Sequence, residues 1–214
     1  MIPTATTEVT RARRVLRHAL VTLIIIGLAT VGVAVYRSAS ATTPLTGTIG
    51  ESHVDAQTPP DGVVTAEDGL LPDGATPFDE GYAGVARLSP ALLDALQRAA
   101  HDAAAGDVVI RVNSGWRSTE YQDRLLQEAV ERYGSVEEAA RWVASSATST
   151  HVAGDAVDVG SYDAVDWLAD RGAAYGLCQT YGNESWHFEL RPEAIDGGCP
   201  PPYADPTQDP RLQG

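Results

Sequence analysis

The chain opens on a polar stretch and then runs uncharged from Ala19 to Tyr36, A-L-V-T-L-I-I-I-G-L-A-T-V-G-V-A-V-Y. At about 1.5 Å per residue this run makes a helix of roughly 27 Å, close to the hydrocarbon thickness of a bilayer. Arg11, Arg13, Arg14, Arg17 and His18 precede it, and only Arg37 follows closely. Arginine is retained on the cytoplasmic side. Residues 1–18 are therefore expected to be a cytoplasmic basic N-terminus, 19–36 a single transmembrane anchor, and the rest extracellular. The competing reading is a signal peptide cleaved at Ala39-Ser40-Ala41, which would give a secreted protein. An h-region typically has about 7–15 residues, shorter than this run, so length favours the anchor.

Residues 37–76 are rich in Thr, Ser, Gly, Pro and Asp. Thr58-Pro59-Pro60-Asp61-Gly62 can continue neither a helix nor a central strand. A flexible stalk is expected here, with His53 a solvated bystander.

From Tyr82 the pattern is regular. Ser89-Pro90 supplies an N-cap and a first-turn proline, and Leu92, Leu93, Leu96 and Ala99/Ala100 form one stripe of a helix over 91–105. Val108–Val112 reads as a short strand, ending in the loop Ser114-Gly115-Trp116-Arg117-Ser118. A second helix is expected over 119–133, with Tyr121, Leu125, Leu126 and Ala129 inward and Gly134 as its stop. Ser135 and Glu138 form a capping box opening a third helix through Val143. Ala156–Val159 is a strand, 163–175 a fourth helix, and 177–181 and 186–190 two strands joined by a Gly182-Asn183 turn. A polar tail, 204–214, follows Pro200-Pro201-Pro202. Helices segregated from later strands indicate an α+β domain, here bounded as 77–203.

Charge sharpens the division. From residue 38 onward 10 Arg face 28 Asp plus Glu, a net of −18 within a chain of −14 overall. That acidity excludes nucleic acid as a partner. The two cysteines, Cys178 and Cys199, are expected to form a disulfide outside the cytoplasm, because the paired CxxC spacing of structural zinc sites is absent.

Two stretches carry chemistry: Ser149-Thr150-His151-Val152-Ala153-Gly154-Asp155-Ala156-Val157-Asp158 and Glu184-Ser185-Trp186-His187-Phe188-Glu189. A catalytic zinc site takes three N or O ligands and leaves a fourth position open, which His151, Asp158 and His187 satisfy. His151 and Asp158 are seven apart and would face opposite ways on one strand. They converge only if the chain turns between them, and Gly154 permits the turn. His187 is expected on a strand, with Trp186 and Phe188 facing the core. Glu184, an odd three residues earlier, must then project from the turn, which suits a general base. Arg117 is a fixed cation at a strand end, fit to stabilise an oxyanion or hold a substrate carboxylate. Taken singly, each residue has a plain structural reading: the aspartates as turn formers, Arg117 as a surface ion pair, the tryptophans as core.

The combination S-x-H-x-x-G-x-A-x-D, E-x-W-H and an upstream S-G-W-R-S resembles the VanY-type zinc D-alanyl-D-alanine carboxypeptidases and the related VanX-type D,D-dipeptidases. The resemblance covers about 77–203. It implies Zn²⁺ on His151, Asp158 and His187, Glu184 as catalytic base, Arg117 at the transition state, and Ser149 and Gln122 as substrate-binding residues. It also implies a small antiparallel sheet with packed helices, shared with the hedgehog signalling domain. Ser185 stands where many members carry Pro, and the 176–184 segment is short. The implied function is a membrane-anchored peptidase trimming the terminal D-Ala from a peptidoglycan stem peptide or precursor. The other readings are a D,D-dipeptidase, an L-Ala–D-Glu endopeptidase, or a non-catalytic wall-binding module. A purely structural zinc site would need neither Glu184 nor an open position.

Overall fold

The computed structural model describes residues 63–213. The basic N-terminus, the anchor segment and most of the stalk, including His53, lie outside the described residues. Among those described, no helix is long and apolar enough to cross a membrane.

Among the described residues, seven helices and four strands follow one another. They are α1 (Ala83–Ala86), α2 (Pro90–Ala104), β1 (Arg111–Ser114), α3 (Thr119–Tyr133), α4 (Val136–Ala139), α5 (Thr150–Ala153), β2 (Ala156–Gly160), α6 (Tyr162–Arg171), β3 (Leu177–Gln179), β4 (His187–Leu190) and α7 (Ala194–Gly197). Short 3-10 turns at Ala66–Asp68, Gly172–Tyr175, Pro206–Gln208 and Pro210–Leu212 complete the set. The strands form one antiparallel sheet in the order β1-β2-β4-β3. This is the expected α+β architecture with a small antiparallel sheet.

Strand alternation divides the sheet into a core face and a chemical face. Val157, Val159 and Phe188 point into the core with Ile110, Val112 and Leu177. Against them packs the stripe Leu92, Ala95, Leu96, Ala99, Ala100 and Ala103 of α2, together with Ala164, Trp167 and Leu168 of α6. Asp158 and His187, which are cross-strand partners, occupy the opposite face.

Several boundaries differ from the sequence reading. The first strand begins at Arg111, three residues late: Val108 and Ile110 reach the core, but only from Arg111 does the chain find a partner in β2. The helix expected from Ser135 through Val143 is the short α4, which stops at Ala139, and an unforeseen helical turn, α5, carries His151. β3 and β4 pair antiparallel as the expected hairpin, but they are joined by a longer connection over 180–186 instead of a tight Gly182-Asn183 turn. The C-terminal tail competes for those residues: Tyr181 bridges to Tyr203, and the Gly182 and Asn183 amides donate to the carbonyls of Tyr203 and Ala204.

Both ends of the folded region extend past 77–203. The Asp68 carboxylate accepts from the Ser118 hydroxyl at 3.0 Å, Ala75 is buried, and its carbonyl accepts from the Val112 amide, so the last part of the expected stalk is packed. In the tail, Asp205, Pro206 and Asp209 are buried. Cys178 and Cys199 form the expected disulfide.

Candidate active site

The two chemical stretches meet at the β2–β4 ladder. Ser149 is the N-cap residue before α5, and Gly154 ends the helix in the left-handed region, at φ 79°. A side chain at 154 would lie 2.5 Å from the Arg87 carbonyl oxygen. This tight reversal turns the chain from His151 into β2, where Asp158 pairs with His187. The expected turn at Gly154 and the convergence of all three candidate ligands are both present.

Three ligand atoms form a nearly equilateral triangle. His151 Nε2 lies 3.3 Å from His187 Nδ1 and 3.4 Å from Asp158 Oδ1, and the latter two are 3.3 Å apart. Any two ligands at 2.0–2.1 Å from a tetrahedral zinc ion are about 3.3–3.4 Å apart, the same spacing. The outer nitrogens fix the tautomers. His151 Nδ1 is 2.7 Å from the Gly115 carbonyl and His187 Nε2 is 3.4 Å from Glu189 Oε1, both partners being acceptors. Each histidine therefore donates outward and, when neutral, turns a lone pair inward, toward a carboxylate oxygen that has no hydrogen-bond partner. Three buried acceptors at such spacing repel one another unless a cation sits among them. The donor set thus fits a zinc ion with the two histidines already oriented.

Without a metal, protons take part of that burden. Burial lowers the His187 pKa, but Asp158 and Glu189 outweigh it and push it up to about 9. His151 is lowered by burial and by the Arg117 charge. Burial works to raise the Asp158 pKa, and the histidines and Arg117 overcome it, holding the carboxyl well below its usual range.

Glu184 projects from the turn before β4, as expected. Its Oε2 is 3.7 Å from His187 Nδ1, its Oε1 is buried without a partner, and burial raises its pKa to about 7. A carboxyl poised near neutrality beside the triangle is suited to carrying a proton in both directions.

Arg117 fans out over three partners: Nε donates to Ser114 Oγ at 2.7 Å, Nη1 to Gln122 Oε1 at 3.1 Å, and Nη2 to Asp158 Oδ2 at 2.6 Å. It therefore braces the aspartate, a task the sequence did not suggest. Three of its five N–H donors are engaged, and the side chain also lines the cavity. Gln122 is buried, its amide held by Arg117 and by the Ala144 carbonyl at 2.8 Å. Ser149, also buried, lines the same cavity.

This cavity, about 360 Å³, opens over Glu184 and the ligands. Trp142, Tyr133 and Trp186 give it an aromatic side, and Leu212 of the tail also lines it. Trp186 corrects an expectation: it is 42% exposed, whereas Phe188 is buried as expected. The chain is still in the turn at residue 186, and strand alternation begins only at His187. Sequence reasoning also missed Glu189, although it lies two residues after His187 and so on the same face of β4.

Residues 85–193 match the family described as VanY, D-alanyl-D-alanine carboxypeptidase. A D-alanyl-D-alanine carboxypeptidase of Enterococcus faecalis (strain ATCC 700802 / V583) is 31% identical, the match covering 48% of this chain and 46% of that protein. The chain thus spans about half the length of the curated relative it matches. Among solved structures, a vancomycin-resistance D,D-pentapeptidase VanY in complex with Zn(II) is 26% identical, with a TM-score of 0.46 over 48% of this chain and 72% of that one. VanYB in complex with D-alanine-D-alanine is 26% identical, with a TM-score of 0.48 over 52% and 74%. The L,D-carboxypeptidase DacB of Streptococcus pneumoniae is 27% identical, with a TM-score of 0.44 over 52% and 71%.

Proposed function

The chain belongs to the VanY D-alanyl-D-alanine carboxypeptidase family, and on that premise we propose that it is a zinc peptidase removing the terminal D-Ala from peptidoglycan stem peptides. One observation carries the reading: three buried acceptor atoms at 3.3–3.4 Å spacing, with a carboxylate of raised pKa beside them and a cavity above. The activity named for the Enterococcus faecalis relative supports the choice of substrate.

His151 Nε2, His187 Nδ1 and Asp158 Oδ1 would hold the ion. Bound there, zinc supplies Lewis acidity, bringing the pKa of a water to about 7 and polarising the scissile carbonyl. Glu184 accepts a proton from the attacking water and returns it to the leaving D-Ala amine. Arg117 keeps Asp158 in place and directs its remaining N–H groups at the developing oxyanion or at the substrate's terminal carboxylate. Ser149 and the aromatic side of the cavity contact the peptide, while Gln122 acts through Arg117.

Residues 19–36 anchor the enzyme in the membrane, with residues 1–18 cytoplasmic and the peptidase domain outside. The uncharged run and the arginines before it support this topology. Two experiments test the reading. Mass spectrometry of muropeptides incubated with the zinc-loaded enzyme should show loss of a single alanine. Loss of a dipeptide, or a cut nearer the glycan, would replace the carboxypeptidase assignment. Protease added to protoplasts should release the domain and leave an arginine-rich stub. A soluble chain starting near Thr42 would overturn the anchor.

A further inference from the structure

The family match ends at residue 193, yet residues beyond it reach the site: Pro206 and Leu212 line the cavity, and Arg211 pairs with Glu189. Glu189, which receives the outer N–H of His187, is buried, so its charge must be compensated locally. Arg191 Nη2 reaches only Oε2, at 3.1 Å. Arg211 spans both oxygens, with Nη1 2.8 Å from Oε2 and Nη2 3.4 Å from Oε1, the oxygen that faces His187. Arg211 is itself held by Asp209, through Nε to Oδ1 at 2.9 Å and Nη2 to Oδ2. Asp209 is fully buried, and accepts the Tyr181 hydroxyl at 3.2 Å. The Tyr181 ring in turn lies 4.9 Å from the His187 ring.

Two routes therefore run from the C-terminal tail to one ligand: the alternating charges Asp209, Arg211 and Glu189, and the Tyr181 ring. We propose that the 204–213 tail is a working part of the metal centre, in which Arg211, braced by Asp209, is a positioning residue for His187 through Glu189. Docking of the tail and binding of the metal then support one another. This inference rests on the metal reading of the triangle. Outer partners of a ligating histidine govern both ring orientation and basicity, and losing one typically weakens metal binding about 10–100-fold. Coupling is reciprocal, so the metal must shift the equilibrium from open to docked tail by the same factor that docking strengthens the metal.

The test uses the full-length protein, with zinc affinity measured by chelator competition and hydrogen exchange followed at the 205–213 amides with and without zinc. Arg211→Gln is expected to weaken zinc about 10–100-fold. It should also alter the visible absorption of the cobalt(II)-substituted protein and abolish the zinc dependence of tail exchange. Arg211→Lys should restore part of each. Should Arg211→Gln fail to fold, Glu189→Gln keeps an acceptor for His187, breaks the charge chain, and must show the same loss. Zinc affinity unchanged in the variants, with tail exchange indifferent to zinc, overturns the inference and leaves the metal site standing. A wild-type protein that takes up no zinc overturns both.

Discussion

Asp158 and His187 face one another across the β2–β4 ladder, and their ligand atoms lie 3.3 Å apart. The sheet thus sets two of the three candidate ligands by backbone register alone. The third, His151, comes from a helical turn seven residues upstream, and its orientation is fixed by the Gly115 carbonyl rather than by the sheet.

Glu184 is separable from the ligands. Glu184→Gln keeps the shape of the side chain and removes the base. Zinc content should be nearly unchanged, while kcat falls by about 10²–10⁴. Full activity in a zinc-replete variant would overturn the mechanism, and a wild-type protein with no activity at all would favour the wall-binding reading.

Glu184 also makes the metal-free protein pH-sensitive. Its folded pKa, about 7, lies above the ordinary 4.5. The folded state therefore binds more protons than the unfolded state between those values, and stability falls as pH rises through them. Glu184→Gln should stabilise the metal-free protein at pH 8, by on the order of 2–3 kcal/mol, and have little effect at pH 4. Denaturant titrations at the two pH values measure the difference, and equal effects at both would remove burial as the source.

Arg117→Ala should lower kcat at saturating zinc by roughly 10²–10³ if its spare N–H groups meet the oxyanion. If they meet the substrate carboxylate, the loss falls on KM, and a C-terminally amidated substrate loses little further. Arg117→Lys should not restore activity, because an ammonium cannot span Ser114, Gln122 and Asp158 together. Wild-type kinetics in the alanine variant would reduce Arg117 to scaffolding.

Gly154→Ala should loosen the site from a distance. A methyl group there meets the Arg87 carbonyl at 2.5 Å, on a backbone at φ 79°. A destabilisation of about 1–3 kcal/mol is expected, with weaker zinc binding as His151 shifts against Asp158. Wild-type values of both in the purified variant would show that the reversal tolerates a side chain.

The Cys178–Cys199 bridge spans 21 residues and ties β3 to the segment entering the tail. Replacing both cysteines with serine should cost about 2–4 kcal/mol in chemical denaturation, and reductant should reproduce the effect in the wild type. Insensitivity to reductant would mean that the cysteines are unpaired in solution.

Whatever depends on local periodicity and residue chemistry could be read along the chain. The stripe of α2, the capped span of α3, the glycine reversal after His151 and the candidate ligands and base were legible because neighbours along the chain carry those signals. The resemblance to a peptidase family rested on the same short motifs. Tertiary structure alone decided what depends on pairs distant in the chain. Val108–Ile110 has the composition of a strand but no partner at that point, so pairing starts at Arg111. Trp186 has the character of a core residue but falls before the alternation sets in, so it faces the cavity. The tail is polar in sequence because its Arg211 compensates both Asp209 and a buried glutamate 22 residues away. Polarity alone does not distinguish a solvated charge from one paired across the fold, since only the partner's position sets the balance between desolvation and attraction.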